Sequence, residues 1–483
     1  MENKNNTSIV HTGSNQLVKA ANLLKITNKL VFDGIEEKFN EAFLLLNSKN
    51  IEPSNFNYCF MFEYEPLFYR KNHFTFEAKN RNDYYSAIAL FTEVLKIKTN
   101  HLLSLQFRGL AKRGLKDYEG AIEDLVNVIN IDPKYVWAYN CLGFTYGDLK
   151  DYQKAIEFYS AAVDLDSKYD RSYGNRGLTK YRLNDNQGAI EDFSKTLIIN
   201  PTFENAYANR GNAKWHLQDY HGAMDDFILA IKADSNNSIL FYNLGLVRVR
   251  LDNPEEAIED FTKAIVLDPN YASAYNARGF AKVDIKDHTG AIEDFTKAVS
   301  IESNNKKFYY NRGQAKNDIE DYEGAIEDFS RALILAPNDK DSYYNRGIAK
   351  IRIKDYEGTI EDFSKALILE PNDKDATEIL ILLGATNEDL GNHNDALENY
   401  TKAISLDSTS FLAYLVRGLL KNKFKEYDDA IKDFSKSIEL NSKQADAFSN
   451  RAIAYRNIGK IIEAEIDFKK SIELKKMAAD SLQ

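Results

Sequence analysis

The run from Asp170 to Asp373 constrains this chain more than any other stretch, because one sentence of 34 residues is written there six times. From Tyr309 it reads YYNRGQAKNDIEDYEGAIEDFSRALILAPND, and from Tyr343 it reads YYNRGIAKIRIKDYEGTIEDFSKALILEPND. Such a unit is a helix–turn–helix that cannot bury its apolar face alone and must stack on copies of itself. The same frame places repeat starts at Leu102, Val136, Asp170, Glu204, Ser238, Ala272, Lys306 and Lys340. After a three-residue insertion, Lys374 to Ala376, it resumes at Thr377, Phe411 and Ala445, giving eleven repeats over 102–478. A degenerate repeat over 68–101, starting near Phe68 with a second helix over Tyr84–Ile97, precedes them.

Each fixed position in the frame has a physical reason. Position 8 is glycine in most repeats, as in Gly279, Gly313 and Gly347. Glycine inside a helix costs about 1 kcal/mol against alanine, so its recurrence predicts that another backbone comes too close for a side chain. Position 20 is alanine (Ala291, Ala325) and position 24 is mostly Phe (Phe329, Phe363), a bulky knob between the paired helices. Proline at position 32 (Pro133, Pro201, Pro269, Pro337, Pro371) ends the second helix, since it lacks an N–H and disfavours helix at the residue before it.

Glycine at 8, alanine at 20 and 27, an aromatic at 24 and proline at 32 resemble the tetratricopeptide repeat (TPR) family over roughly residues 68–478. The resemblance implies an all-α fold, a right-handed α-solenoid or superhelix with first helices along the concave face and second helices outside. It also implies a non-catalytic module that binds a protein or peptide.

Position 7 departs from the family's usual leucine. It is arginine in eight repeats, Arg210, Arg278, Arg312 and Arg346 among them, and position 23 is then aspartate: Asp226, Asp294, Asp328 and Asp362 in those four. Position 11 follows with lysine (Lys180, Lys214, Lys282, Lys316, Lys350). Where position 7 is Leu142 or Leu383, position 23 becomes Phe158 or Asn399 and position 11 becomes Tyr146 or Asn387; two repeats depart from the rule, Arg451 pairing with Tyr455 and Leu244 standing with Asp260, where Arg248 one turn on can supply the charge. Such covariation among repeats of one chain predicts that the three positions meet, within a repeat or across to the next, as an ion-pair ladder that sets helix register. A charged ligand column is the competing reading.

First helices also carry asparagine at position 6 (Asn175, Asn209, Asn243, Asn311, Asn345), beside Tyr242, Tyr310 and Tyr344 at position 5. An amide offers a donor and an acceptor to any peptide backbone, and tyrosine adds rigid apolar area with a polar tip. The TPR resemblance places these positions in the groove, where a comparable asparagine column holds peptide in the O-GlcNAc transferases. Two readings stand for the column: peptide contact, or a habit of the repeat. The lysine at position 5 that a carboxylate clamp needs is absent from the full repeats.

The remaining signals narrow the function class. A net charge of −11 argues against neutralising nucleic-acid phosphates. Seven histidines and two cysteines, Cys59 and Cys141, show no metal or redox spacing, so neither metal nor cofactor nor enzyme chemistry is expected. The start of the chain lacks a secretory pattern and its apolar runs are too short for a bilayer, so a cytoplasmic protein without membrane contact is expected. Residues 1–67 read as an irregular region: a polar start, an apolar stretch from Leu17 to Val31, a helix over Ile35–Leu46 and a segment from Phe56 to Tyr64 that alternates like a strand. This region, the array's ends and its convex face support the alternative of a scaffold gathering several partners. At the last repeat Ala452 replaces the position-8 glycine and Glu465 the apolar residue at position 21, which leaves end-to-end pairing into a homodimer open.

Overall fold

A computed structural model describes residues 81–373 and 375–480, together with Lys38 and Glu41. The apolar stretch Leu17–Val31, the alternating segment Phe56–Tyr64 and the first helix of the repeat starting near Phe68 lie outside the described residues, as does the rest of 1–67 apart from those two. Among the described residues there are 23 helices and no strand. They form two compact units, one reaching Asn253 and one beginning at Pro254, and each is an α-solenoid of antiparallel helix pairs.

One repeat shows how the local sequence builds the pair. Its first helix, Lys340–Arg352, is followed by a short turn and a second helix, Tyr356–Leu369. The turn reverses through Lys354, whose φ of 63° is left-handed. Asp355 then caps the second helix, its carboxylate accepting from the Gly358 N–H at 3.0 Å. The second helix stops two residues before Pro371, and the helices ahead of Pro133, Pro201, Pro269 and Pro337 end at the same offset. Between the helices Phe363 is fully buried with Ala349 and Ala366.

The glycine at position 8 meets the expected backbone in one repeat and an aromatic ring in most others. A Cβ on Gly347 would lie 2.6 Å from Phe363 Cε1, and one on Gly279 would lie 2.6 Å from Phe295 Cε1. At these two positions what approaches is the aromatic knob of position 24, whereas at Gly109 the nearest atom is the backbone carbonyl oxygen of Ala121, 3.2 Å away. The knob needs a bare helix surface to reach the middle of the pair.

At the insertion a single side chain holds the irregular link. Lys340, at position 1 of its repeat, pairs with Asp373 and lies 3.3 Å from Asp375 and 3.7 Å from Glu370. Burial alone would lower its pKa, but hydrogen bonds to Asp373 and Asp375 outweigh that and raise it. The next first helix, Ala376–Asp389, starts directly after this cluster.

Candidate functional site

The covarying positions meet, and they do so within a repeat. Arg346 donates from Nε to Asp362 Oδ2 at 2.8 Å and from Nη2 to Oδ1 at 2.6 Å, a two-pronged pair. Lys350, one turn along the same helix, sets Nζ 2.9 Å from Asp362 Oδ2 and donates to the Gly358 carbonyl at 3.2 Å. The same pair recurs at Arg210–Asp226, Arg278–Asp294 and Arg312–Asp328, with separations of 2.5–2.9 Å. Asp362 has no exposed side-chain surface, while Arg346 and Lys350 keep 16% and 13%. Burial disfavours charge on Arg346, yet the hydrogen bonds it donates to Asp362 overcome this and the guanidinium pKa is raised.

At Leu142, where the ladder is missing, apolar contact fills the slot. Tyr146 and Phe158 stack with centroids 5.3 Å apart and planes 7° from parallel, beneath a fully buried Leu142. At Leu383 the substitute is local: Asn387 donates to the Leu383 carbonyl at 2.9 Å, and Tyr400 donates to Glu388 at 3.0 Å.

Each arginine also makes a contact that the sequence reading missed. Nη1 of Arg346 donates to Ser330 Oγ, 2.9 Å away on the second helix of the preceding repeat. Arg210 reaches Ser194, Arg278 reaches Thr262 and Arg312 reaches Thr296 in the same way. One guanidinium therefore ties three helices, and the ladder fixes the stacking between repeats as well as the pairing inside them. A signal was present at position 25, where a hydroxyl precedes every arginine whereas Val126 and Ile228 precede Leu142 and Leu244.

The asparagines form lateral links along the first helices. Asn175 Nδ2 donates to Asn140 Oδ1 at 3.0 Å, Asn311 to Asn276 at 2.8 Å and Asn345 to the Tyr310 hydroxyl at 3.0 Å. In each case position 6 of one repeat reaches position 5 of the repeat before it. Asn175 and Asn311 are buried, whereas Asn209, Asn243 and Asn345 keep partial exposure. Asn243 Nδ2 is buried without a hydrogen-bond partner. Tyr344 donates to Glu378 in the following repeat at 3.1 Å, and burial followed by the Glu378 carboxylate pushes its phenol up to about 12. Burial likewise raises Tyr242 and Tyr310.

Position 9 lies one helical turn beyond positions 5 and 6, on the same face. Phe280, Leu419 and Ile453 occupy it and are exposed, a set the sequence reading did not single out. Within each unit, then, first helices stand side by side behind a column of amides and phenols, flanked in the unit from Pro254 by the open Phe280, Leu419 and Ile453.

Family models described as tetratricopeptide repeat match residues 136–169, 204–237, 238–271, 272–305, 310–377, 377–410 and 445–476, and one described as TPR repeat matches 109–150. The chain belongs to the tetratricopeptide repeat family. A TPR array is a protein-interaction module, and that much of the function follows from membership. No curated relative matches the chain. Among solved structures it is similar to MamA from Desulfovibrio magneticus RS-1, 25% identical over 36% of this chain and 96% of that one, with a TM-score of 0.34. YrrB, described as a TPR protein with an unusual peptide-binding site, is 24% identical over 37% of this chain and 92% of its own, also at 0.34. Yeast Tom70 is 20% identical over 80% of this chain and 95% of its own, at 0.33. Among the described residues no cluster of acidic, histidine or cysteine side chains suits a metal ion, and no helix is long and apolar enough to cross a membrane.

Proposed function

We propose that this TPR protein holds an extended peptide segment along its wall of first helices. The observation that carries the reading is the amide–phenol column, in which Asn311 and Asn345 are each fixed by the preceding repeat while the exposed Phe280 and the partly buried Ile348 flank them on the same face. Holding the amides before a ligand arrives removes part of the ordering cost of binding. With Nδ2 committed to the neighbouring repeat, the partly exposed Asn345 presents its Oδ1, which suits the N–H groups of an extended backbone. The open position-9 side chains supply apolar contact for a peptide's own side chains.

The test uses peptides selected from a random library on the full chain, with affinity read by fluorescence anisotropy. Asn345→Ala and Phe280→Ala weaken such peptides by about tenfold or more each while leaving helicity unchanged. Peptides that bind both variants like the parent protein would overturn groove capture.

A second reading, a scaffold working through the opposite side, has its own observation. Position 29 of the second helices exposes Ile334 and Ile368 at 68% and 77% in adjacent repeats, with Ile198 and Val266 equally bare at the same position elsewhere. Retention of a partner by the groove variants, with its loss on Ile334→Glu plus Ile368→Glu, would favour that reading.

A further inference from the structure

Three consecutive first helices, Asp170–Arg182, Glu204–His216 and Ser238–Arg250, each end on a basic side chain at position 13, and all three lie in the unit reaching Asn253. A cation in the last turn complements the helix dipole, but the array makes no general use of that. Asp148, Asp284, Asp318 and Asp389 end the first helices of four other repeats, and Arg352 and Lys423 end theirs singly, with Asp389 between them. The run of three is therefore a local departure, in a chain whose net charge is −11.

Position 13 lies one helical turn beyond position 9, so the row continues the first-helix wall. His216 and Arg250 are exposed there, and Arg182 is partly buried. Each of the two exposed groups rests on a ring from the repeat before it. The Arg250 guanidinium lies 5.8 Å from the centre of the Trp215 ring, and the His216 ring lies 5.5 Å from that of Tyr181. These contacts hold the basic groups across the seams between repeats, with aromatic surface beside each. Asp148, within electrostatic reach of Arg182, is bonded to Arg113 at 2.5 Å.

We propose that this row is the docking track for an acidic stretch of the captured peptide, an inference that rests on the peptide reading and adds the charge and spacing of its ligand. Charge complementarity selects the occupant, and the helix spacing sets its pattern. Packed helices stand about 8–10 Å apart, and a polyproline II strand advances about 9 Å per three-residue turn. A peptide crossing the helix ends in that conformation turns every third side chain to one face at the pitch of the helices. Glutamate or aspartate at every third residue then meets Arg182, His216 and Arg250 in turn, as charged hydrogen bonds. Nucleic acid fits the row poorly: a duplex carries a charge about every 1.7 Å and would meet Asp148 beside it.

The test uses the full chain and labelled synthetic peptides, read by fluorescence anisotropy. One peptide has glutamate at every third residue, a second has the same composition with the glutamates contiguous, and a third has lysine in place of glutamate. The spaced acidic peptide should bind tightest, and Arg182→Gln plus Arg250→Gln should weaken it at least about fivefold with circular dichroism unchanged. Arg182→Glu plus Arg250→Glu should turn the preference toward the lysine peptide, which a merely structural role would not do. Equal binding of spaced and contiguous peptides, indifference to the glutamine pair, or no reversal would each overturn the proposal, as would displacement of the spaced peptide by oligothymidylate at lower concentration than by the peptide itself. Library-selected peptides that respond to Asn345→Ala but not to the arginine variants would overturn this proposal alone and leave the peptide reading standing; no binding by any peptide would overturn both.

Discussion

Replacing Asp362 by alanine should destabilise its repeat far more than the loss of a surface ion pair does. The carboxylate has no exposed side-chain surface, receives two charged hydrogen bonds from Arg346 and forms an ion pair with Lys350 at 2.9 Å. Its removal leaves two cations, one turn apart on the same helix, without their counter-charge. Breaking a buried pair costs about 3–5 kcal/mol; since Arg346 and Lys350 keep 16% and 13% of their surface, the lower end applies, about 3 kcal/mol. The informative partner is a four-site variant: Ser330→Val, Arg346→Leu, Lys350→Tyr and Asp362→Phe. It transplants the apolar arrangement built by Val126, Leu142, Tyr146 and Phe158 in the earlier repeat. A well-packed apolar replacement of an ion pair is often neutral or better, so this variant should recover to within about 1–2 kcal/mol of the parent. Urea titration followed by circular dichroism gives the overall change. Hydrogen exchange over residues 340–369 locates it, because a weakened unit in an array can open without its neighbours. A cost below about 1 kcal/mol for Asp362→Ala would place the ladder with ordinary surface pairs. A four-site variant as unstable as the single one would refute the claim that these positions form one packing slot.

Three further outcomes follow from the same geometry. Gly391→Ala should cost about 1 kcal/mol, because φ is 82° there and no atom lies within 4 Å of an added Cβ, so thermal melting would register backbone strain alone. Gly347→Ala should lower the melting temperature more than Gly211→Ala, since the added Cβ meets Phe363 at 2.6 Å in the first case and Phe227 at 3.2 Å in the second. Lys340→Met should remove about 1 kcal/mol, discounted for the partial exposure of Asp373 and Asp375. The Lys340 pKa is raised, so its contribution is complete below the ordinary lysine range and fades only as pH climbs through the higher folded value. Equal stability of parent and Lys340→Met at pH 8 would contradict this.

Much of the fold was legible because eleven copies of one unit sit in a single chain. Their alignment gave helix ends from proline, the knob from Phe363 and its counterparts, and the ladder from the joint change of positions 7, 11 and 23. The third arm of the arginine went unread although Ser330 and its equivalents carry it, because a serine on a helix has many uses and only the neighbouring repeat shows which applies. The left-handed turn was hidden for a different reason: Lys354, Glu320 and Asn184 share no chemistry, and only Gly391 and Gly459 betray the backbone. Recurrence of Gly347 said that space was short without saying what filled it. The family resemblance assigned the asparagines to the groove, but a recurring residue type could not show that Asn311 spends its Nδ2 on Asn276.

Photo-crosslinking with benzoylphenylalanine placed singly at Phe280 and at Ile334 tests the functional account most directly. Both sites are exposed, one on the first-helix wall and one on a second helix. The account predicts partner adducts at 280, abolished by a library-selected peptide, and none at 334. Adducts at 334 that the peptide does not displace, with 280 silent, would contradict it.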